Sequence, residues 1–496
     1  MKKLLEESKR IIGIRSVCVD GNEEAANYVA TLMQSHGLKT QLQQVTHSFE
    51  NISKRQFNVI GVLGDPLVDR KTRKGLLLCS RLDTDSPGVL ENWTATPGGP
   101  FAASVKDGRI FGLGASQGKL DLLCKLHAIA RLRERKLRMP IYLVGTCGGE
   151  LGMLGAKYLI KSLSLNPKYV AVGGASDLKI VTSHKSFNAY RITVAYQQVE
   201  RDARGFNRQA ALHVLGRSAH GATPELGVSA IQRMMDVLVR ATEAGFEMRY
   251  TELGGGETVD KVPDRATAKL YLSSHQLEDF KRFFADVTRS QGWERAFSLE
   301  LGGLGEAGIR FLPDAIFPCI NDVMGFFRLL AGQLQAHVDG AYAPAHSTVN
   351  LGKLSQRTGA VELSFDLRLL PSVPESEVDL AIQQGIRQLA THYSNLNVTV
   401  VRERMSPALV VPEDSDWVKV CRSARKSAEV EGAEVELSRD AVSSEAALFF
   451  QAGYDAVVFG AGRASDNGHS PNEFNLLDQL DQSVRVYEKL IEQVCL

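Results

Sequence analysis

The sequence has few of the features that mark secreted, membrane-spanning or nucleic-acid-binding proteins. Its seven cysteines are scattered and form no CxxC pair, which is typical of reduced, buried thiols and not of a disulfide framework. The lysines near the amino terminus are not followed by an apolar segment, and no run approaches the ~18 apolar residues of a membrane helix. We therefore expect a cytoplasmic protein without a signal peptide and without a membrane partner.

An excess of either charge is also absent, because 58 Lys and Arg residues face 57 Asp and Glu residues and the formal net charge is +1. Such a balance provides no basic field for nucleic acid, so no nucleic-acid partner is expected. The length of 496 residues exceeds what one hydrophobic core usually serves, which predicts two or more domains. Eleven histidines and the many acids supply metal-ligand residue types in abundance.

Strand-like and helix-like segments alternate over the first 186 residues and again from residue 405 to residue 496. Residues 1–37 have the spacing of one amphipathic helix that Gly37 closes. Short apolar strands then alternate with helices, the strands lying at 58–63, 75–80, 140–146 and 169–173. Continuous apolar strands between helices predict an α/β domain with a mixed, mostly parallel sheet that helices cover.

The segment 187–404 has a different texture and predicts an α+β domain inserted into the α/β domain. Its strands alternate apolar with polar residues, as expected for antiparallel strands with one open face. A helix followed by strands occurs twice within it, so the insert is interpreted as internally duplicated. The predicted domains are thus 1–186, 187–404 and 405–496.

Polar residues follow several of the predicted strands. In open α/β sheets, ligands bind at the carboxyl ends of the strands. The strand-end segments are Arg81-Leu82-Asp83, Gln117-Gly118-Lys119, Gly148-Gly149-Glu150, Gly173-Gly174 and His469-Ser470-Pro471-Asn472-Glu473. These segments are the candidate site.

Five motifs make the chain similar to a known family over essentially its whole length. They are Leu82-Asp83-Thr84, Trp93 with Pro100-Phe101, residues 107–115, residues 216–231 and residues 469–474. The sequence resembles the co-catalytic di-zinc exopeptidases and deacylases, a group with carboxypeptidase G, aminoacylase, acetylornithine deacetylase and the carnosinase-type dipeptidases. The resemblance implies a zinc-exopeptidase-like fold whose insert is a lid domain. A duplicated lid implies a monomer, because the second half of the lid takes the place of a dimer partner.

The resemblance also implies a site from which most of the metal-binding positions are missing. Arg81 stands where the family has a histidine ligand, Gln117 where it has the bridging Asp, Gly149 where it has the general-base Glu, and Gly174 where it has a further carboxylate. A neutral amide does not hold two zinc ions together, and glycine cannot deprotonate water. Arg81 also brings a permanent cation to the position of the metal.

Glu150, His469 and the supporting carboxylate Asp83 are what the resemblance leaves of that site. Glu150 is either a surviving metal ligand or an acid paired with Arg81, whose charge would replace that of the metal. His469 is either a ligand or a hydrogen-bonded turn residue. Neither a metal nor another cofactor is therefore expected, and Asp83 is the remnant of the catalytic set.

Other residues keep alternatives open. Asp85 or Asp177 in a displaced ligand position would restore one divalent metal, zinc. Lys119 either lines the pocket or begins a helix in solvent. In the lid, His220 matches a histidine that reaches the substrate oxyanion, or it is a hydrogen-bonded turn residue. Arg368 matches an arginine that receives the substrate carboxylate, or it is an ordinary strand-end arginine.

These residues predict a catalytically degenerate metallopeptidase or deacylase homologue, a pseudoenzyme. The expected ligand-binding residues are Arg81, Gln117, Lys119, His220 and Arg368. The expected partner is a small carboxylate, a short peptide or another protein. One alternative is an active metal-dependent dipeptidase or N-acyl amino acid amidohydrolase with a single metal. The other is an enzyme of changed chemistry in which Arg81 and Lys119 act as the electrophile.

Overall fold

The chain, in a computed structural model, divides into two units, each with its own hydrophobic core. The first unit contains Met1–His184 and Ser406–Leu496, and the second contains Lys185–Met405. The structure describes residues 1–46, 55–65, 75–116, 118–162, 165–197, 205–304, 309–428, 437–463, 467–468 and 470–496. Within these residues, no helix combines the length and the apolar character that crossing a membrane requires.

The first unit begins with two helices and then alternates strands with helices. Its helices are α1 (Lys2–Gly13), α2 (Glu23–Ser35), α3 (Gly118–Leu132) and α4 (Leu154–Ser162). Its strands are β1 (Lys39–Val45), β2 (Gln56–Leu63), β3 (Leu76–Arg81), β4 (Ser104–Lys106), β5 (Arg109–Phe111), β6 (Ile141–Thr146), β7 (Tyr169–Val172) and β8 (Ile180–His184).

The second unit is an eight-stranded sheet with four helices among its described residues. Its strands are β9 (Phe187–Ala195), β10 (Arg208–Leu215), β11 (Arg249–Gly255), β12 (Arg265–Leu272), β13 (Phe297–Leu304), β14 (Thr348–Arg357), β15 (Ala360–Arg368) and β16 (Asn397–Ser406). Its helices are α5 (Ala230–Glu243), α6 (Leu277–Ser290), α7 (Ile316–Leu334) and α8 (Glu375–His392). The strand order β13-β10-β12-β11-β14-β15-β9-β16 contains two four-stranded halves of the same internal order, joined where β11 pairs with β14.

The chain then returns to the first unit. The last strands are β17 (Leu409–Val410), β18 (Leu437–Asp440), β19 (Asp455–Val458) and β20 (Phe474–Leu476), and the last helices are α9 (Asp416–Ser427), α10 (Ala446–Gln451) and α11 (Leu477–Cys495). The main sheet has the order β1-β2-β6-β3-β7-β19-β8-β17, with β18 beside β8. A small sheet of β20, β5 and β4 completes the unit.

The predicted mixed α/β sheet covered by helices is confirmed, although among the described strands its parallel pairings are limited to the four central strands and to the pair of β18 with β8. Strands β6, β3, β7 and β19 run parallel, whereas β2 pairs with β6 in antiparallel orientation. The strand formed by residues 58–63 is apolar because it is buried, and burial by itself does not determine direction.

The single helix predicted for residues 1–37 is wrong in one respect, since the structure has two helices, α1 and α2. Between them, the backbone of Cys18 donates to Thr84 O at 2.8 Å, and Thr84 N donates to Ser16 O at 3.0 Å. Backbone hydrogen bonds to a neighbouring segment compete with the helical ones, so the helix is interrupted. The interruption brings Cys18 to the strand end at Asp83.

Candidate ligand site

The carboxyl ends of β3 and β6 lie side by side and position the first set of predicted residues. The register pairs Arg81 with Thr146 in parallel, so the turn after β6 lies next to the end of β3. That turn contains Gly149 and Glu150. Residues separated by almost 70 positions in the sequence therefore meet at one edge of the sheet.

Arg81 and Glu150 form an ion pair at this edge. The Arg81 Nη1 donates to Glu150 Oε1, and the side chains are 21% and 19% exposed. Burial opposes the charge of the guanidinium, but Glu150 and Asp83 outweigh burial and raise the Arg81 pKa. The structure thus agrees with the interpretation of Glu150 as an acid paired with Arg81, and the guanidinium stays charged.

Asp83 is fully buried and is held by the turn that carries Glu150. Its Oδ2 accepts a hydrogen bond from the backbone N–H of Gly149 at 2.9 Å. Cys18 lies close to this carboxylate, and burial together with the Asp83 charge raises the pKa of the thiol. The Cys18 thiol is therefore protonated and is not a nucleophile.

Glycines around Arg81 leave the space that its backbone and its side chain occupy. A Cβ at Gly149 would lie 2.9 Å from Arg81 Cδ and 3.0 Å from Nη1. A Cβ at Gly118 would lie 2.5 Å from Arg81 O and 2.7 Å from Arg81 N. Carbon atoms prefer separations of about 3.5–4.0 Å, so a side chain at position 149 competes with the guanidinium for the same volume.

Gly174 is also packed closely. A Cβ there would lie 2.6 Å from Val458 Cγ1, so a carboxylate at position 174 requires Val458 to move. The position that the resemblance assigns to a metal ligand is thus filled by packing between β7 and β19.

Lys119 does not begin its helix in solvent, contrary to one of the two interpretations offered by the sequence. Its side chain is fully buried, and Nζ donates to the backbone oxygens of Ile14 at 3.1 Å and Ile11 at 3.4 Å. These oxygens lie at the carboxyl end of α1, where cations are favourable. Burial lowers the Lys119 pKa to about 8, which Glu473 and Asp83 partly oppose. Lys119 therefore ties α1 to this edge.

Two buried acids lie near this edge, of which Glu445 was not predicted and Glu473 was predicted only as part of the segment 469–473. Glu445 accepts from Thr146 Oγ1 at 2.8 Å, and burial raises its pKa to about 7. Glu473 accepts from the backbone N–H of Gly114, and burial raises its pKa to about 7 as well. Glu473 is part of the motif at 469–474, whereas Ser443-Ser444-Glu445 matches no motif that would indicate a site residue.

Beneath this edge lies a buried network that sequence reasoning also missed. Lys125 Nζ donates to Cys79 O at 2.7 Å and pairs with Asp121 at 2.8 Å. Asp121 also accepts from Ser80 Oγ at 2.7 Å and from Tyr487 OH at 2.6 Å. The polar groups of this network satisfy one another, as buried polar groups must.

The described residues do not fit the dinuclear zinc site of the resemblance. Among them, no group of three or more His, Cys, Asp or Glu residues is arranged to hold a metal ion. Asp177, considered as a displaced ligand, is exposed and accepts from the Gln479 amide, while Asp85 is half-buried. Gln117 and His469 lie outside the described residues, so their predicted roles stay predictions.

Arg368, in the second unit, lies at the end of β15, and its guanidinium is engaged by Asp366. Its Nε donates to Asp366 Oδ1 at 2.7 Å and its Nη2 donates to Asp366 Oδ2 at 2.9 Å. The guanidinium also lies over the Phe187 ring, 4.1 Å from the centroid. Burial raises the Asp366 pKa, against the effect of Arg368. The expected carboxylate clamp is therefore occupied by a carboxylate of the chain itself.

His220 has the hydrogen bond of a turn residue. Its Nδ1 accepts from the backbone N–H of Ala222 at 3.0 Å. Burial and the Arg368 charge lower the His220 pKa to about 4, and Asp260 opposes that shift. The imidazole is thus neutral at neutral pH and is suited to donate or accept a hydrogen bond, not to carry charge.

Known relatives are similar to about half of the chain in sequence. The acetylornithine deacetylase of Proteus mirabilis is 27% identical over 215 residues, which are 43% of this chain and 46% of that protein. The acetylornithine deacetylase of Yersinia pseudotuberculosis is 27% identical over 233 residues, 46% of this chain and 52% of that protein. The chain spans about half the length of the curated relatives that it matches.

Solved structures share the fold over nearly the whole chain. The aminoacylhistidine dipeptidase of Vibrio alginolyticus has a TM-score of 0.60 at 15% identity, covering 99% of this chain and 96% of that one. The M20 metallo-carboxypeptidase of Sulfolobus solfataricus has a TM-score of 0.60 at 17% identity, covering 99% of both chains. At such identities the likeness concerns the fold.

The sequence model of peptidase family M20/M25/M40 matches residues 81–493, well over half of the chain. Its match begins at Arg81 and includes the motifs at 82–84, 107–115, 216–231 and 469–474. The predicted resemblance to the di-zinc exopeptidases and deacylases is thereby confirmed, and the chain belongs to peptidase family M20/M25/M40.

Proposed function

We propose that this chain is a catalytically degenerate member of its family that binds a small carboxylate or a short peptide without hydrolysing it. The observation that carries the proposal is the Arg81–Glu150 ion pair packed against Gly149. The guanidinium fills the volume next to residue 149, where the resemblance requires a general base. Glycine provides no group for proton transfer to or from water.

The surviving carboxylates also support the proposal. Glu150 is engaged by Arg81, and Asp83 is fully buried on the Gly149 N–H. Two zinc ions need several charged ligands and a bridging carboxylate, which the described residues do not supply. Lys119, proposed from the sequence as a partner electrophile, is directed to α1 instead, so an electrophilic pair of Arg81 and Lys119 is disfavoured.

Elemental analysis combined with an activity panel tests this function. The purified full chain would be analysed for zinc, manganese and cobalt and then assayed with dipeptides and N-acyl amino acids, with and without each added metal. We expect substoichiometric metal and no turnover above a matched blank. Turnover that a chelator abolishes would establish the single-metal amidohydrolase instead. Metal-independent turnover that is lost in Arg81→Ala would establish changed chemistry at Arg81.

A further inference from the structure

We propose that Arg81 receives the carboxylate of the bound ligand, and that Glu150 is its internal competitor. This inference rests on the proposed binding function and assigns the ligand's anionic group to one residue. Arg81 is the residue at which this chain departs from the histidine that the resemblance implies. The site therefore takes an oxyanion directly on a side chain.

Three cations lie at or beneath this edge of the first unit in the described part of the chain, and two of them are committed to the fold. Lys119 is fully buried on the carbonyl oxygens of α1, and Lys125 is fully buried on Cys79 O and Asp121. Arg81 keeps 21% of its side chain exposed. An incoming anion therefore reaches Arg81 and neither of the lysines.

The pairing of Arg81 with Glu150 is suited to exchange. Glu150 lies in the turn after β6 and is 19% exposed, so its carboxylate can return to solvent without unfolding a helix or a strand. Partly exposed ion pairs contribute about 1 kcal/mol or less to stability. A ligand carboxylate that takes the place of Glu150 leaves the number of charges around Arg81 unchanged.

Asp83 keeps the guanidinium charged during the exchange. Its charge, like that of Glu150, favours the cationic form of Arg81, and its own position is fixed by the Gly149 N–H. Gly149 in turn leaves the space for the arginine side chain. The planar guanidinium fork matches the two oxygens of a carboxylate, whereas a lysine offers a point charge.

Calorimetric titration of the full chain with N-acetylglycine, and in parallel with inorganic phosphate, tests the assignment. We expect Glu150→Gln to bind N-acetylglycine about fivefold more tightly than the unmodified chain, the factor that corresponds to about 1 kcal/mol. Arg81→Lys, which preserves the charge but not the fork, should bind more weakly. Glu488→Gln, which removes the partner of Arg131 in an exposed ion pair of the same unit, should bind unchanged.

The inference is overturned if Glu150→Gln or Arg81→Lys binds N-acetylglycine with the same affinity as the unmodified chain. It is also overturned if neither the unmodified chain nor any variant binds at saturating probe. Binding of phosphate without N-acetylglycine overturns the carboxylate assignment. Circular dichroism of each variant establishes that it is folded. The metal-dependent turnover that would refute the proposed function is a separate readout, so the two failures are distinguishable.

Discussion

A methyl group at Gly149 should destabilise the protein because of Arg81, and should do so only while Arg81 is present. The added Cβ would lie 2.9 Å from Arg81 Cδ and 3.0 Å from Nη1, so the guanidinium must shift by about 0.5–1 Å to restore normal separations. That shift misaligns the ion pair with Glu150. Overpacking of this kind costs about 1–3 kcal/mol.

The backbone conformation at Gly149 predicts the opposite effect of alanine on stability, so the effect of Arg81 can be distinguished from it. Gly149 is not among the residues with positive φ, so alanine fits its conformation. Replacing glycine by alanine at such a position stabilises a protein by about 0.4–1 kcal/mol through the unfolded state. In an Arg81→Ala background, Gly149→Ala should therefore be neutral or stabilising. The coupling free energy between the two sites should be at least about 1 kcal/mol.

Scanning calorimetry on the four chains of this double-mutant cycle measures the coupling. Gly148→Ala is the matched control, because Gly148 has φ of 65° and its Cβ would meet Leu154 Cβ at 2.7 Å. Its cost should be the same with or without Arg81. Equal effects of Gly149→Ala in both backgrounds would refute the reasoning that the arginine and the glycine are interdependent.

Three further predictions concern buried charges. Lys119 has a folded-state pKa of about 8 against 10.5 unfolded, so the unfolded state binds more protons between these two pH values. The free energy of unfolding, and with it the melting temperature, should therefore rise with pH in this range. Lys119→Met should abolish this rise in melting temperature. Glu445 has a folded-state pKa of about 7 against 4.5 unfolded, so the folded state binds more protons between these two pH values. The free energy of unfolding should therefore fall as pH rises from 4.5 to 7. Glu445→Gln should reduce this pH dependence. Asp366→Ala leaves Arg368, 3% exposed, without its partner and should cost about 3–5 kcal/mol in urea unfolding.

Each of these has an outcome that would contradict it. An unchanged pH dependence in Lys119→Met or in Glu445→Gln would mean that another group controls that window. Replacing the ion pair of Asp366 and Arg368 by apolar residues, in the double variant Asp366→Leu with Arg368→Met, should recover most of the stability lost in Asp366→Ala. A double variant as unstable as the single one would show that the pair does more than neutralise a buried charge.

The sequence by itself determined the fold class and about half of the site at the carboxyl ends of β3 and β6. Arg81 and Glu150 each follow an apolar strand, and the carboxyl ends of parallel strands meet at one edge, so their proximity was predictable. The motifs at 82–84 and 469–474 predicted the family, and position-by-position comparison identified Gly149 and Gly174 as lost positions. These inferences need only local order and a known strand direction.

The destinations of the other side chains were decided by the tertiary structure. Lys119 begins a helix, and its local sequence allows solvent as well as burial; the docking of α1 provides the carbonyl oxygens that select burial. Cys18 reaches Asp83 because backbone hydrogen bonds from Cys18 to Thr84 and from Thr84 to Ser16 interrupt a segment whose apolar spacing is helical. Glu445 acquires its raised pKa from burial, which no spacing in the sequence encodes. Periodicity determines which residues face inward, but the partner that each buried group finds depends on contacts between segments that are distant in the sequence.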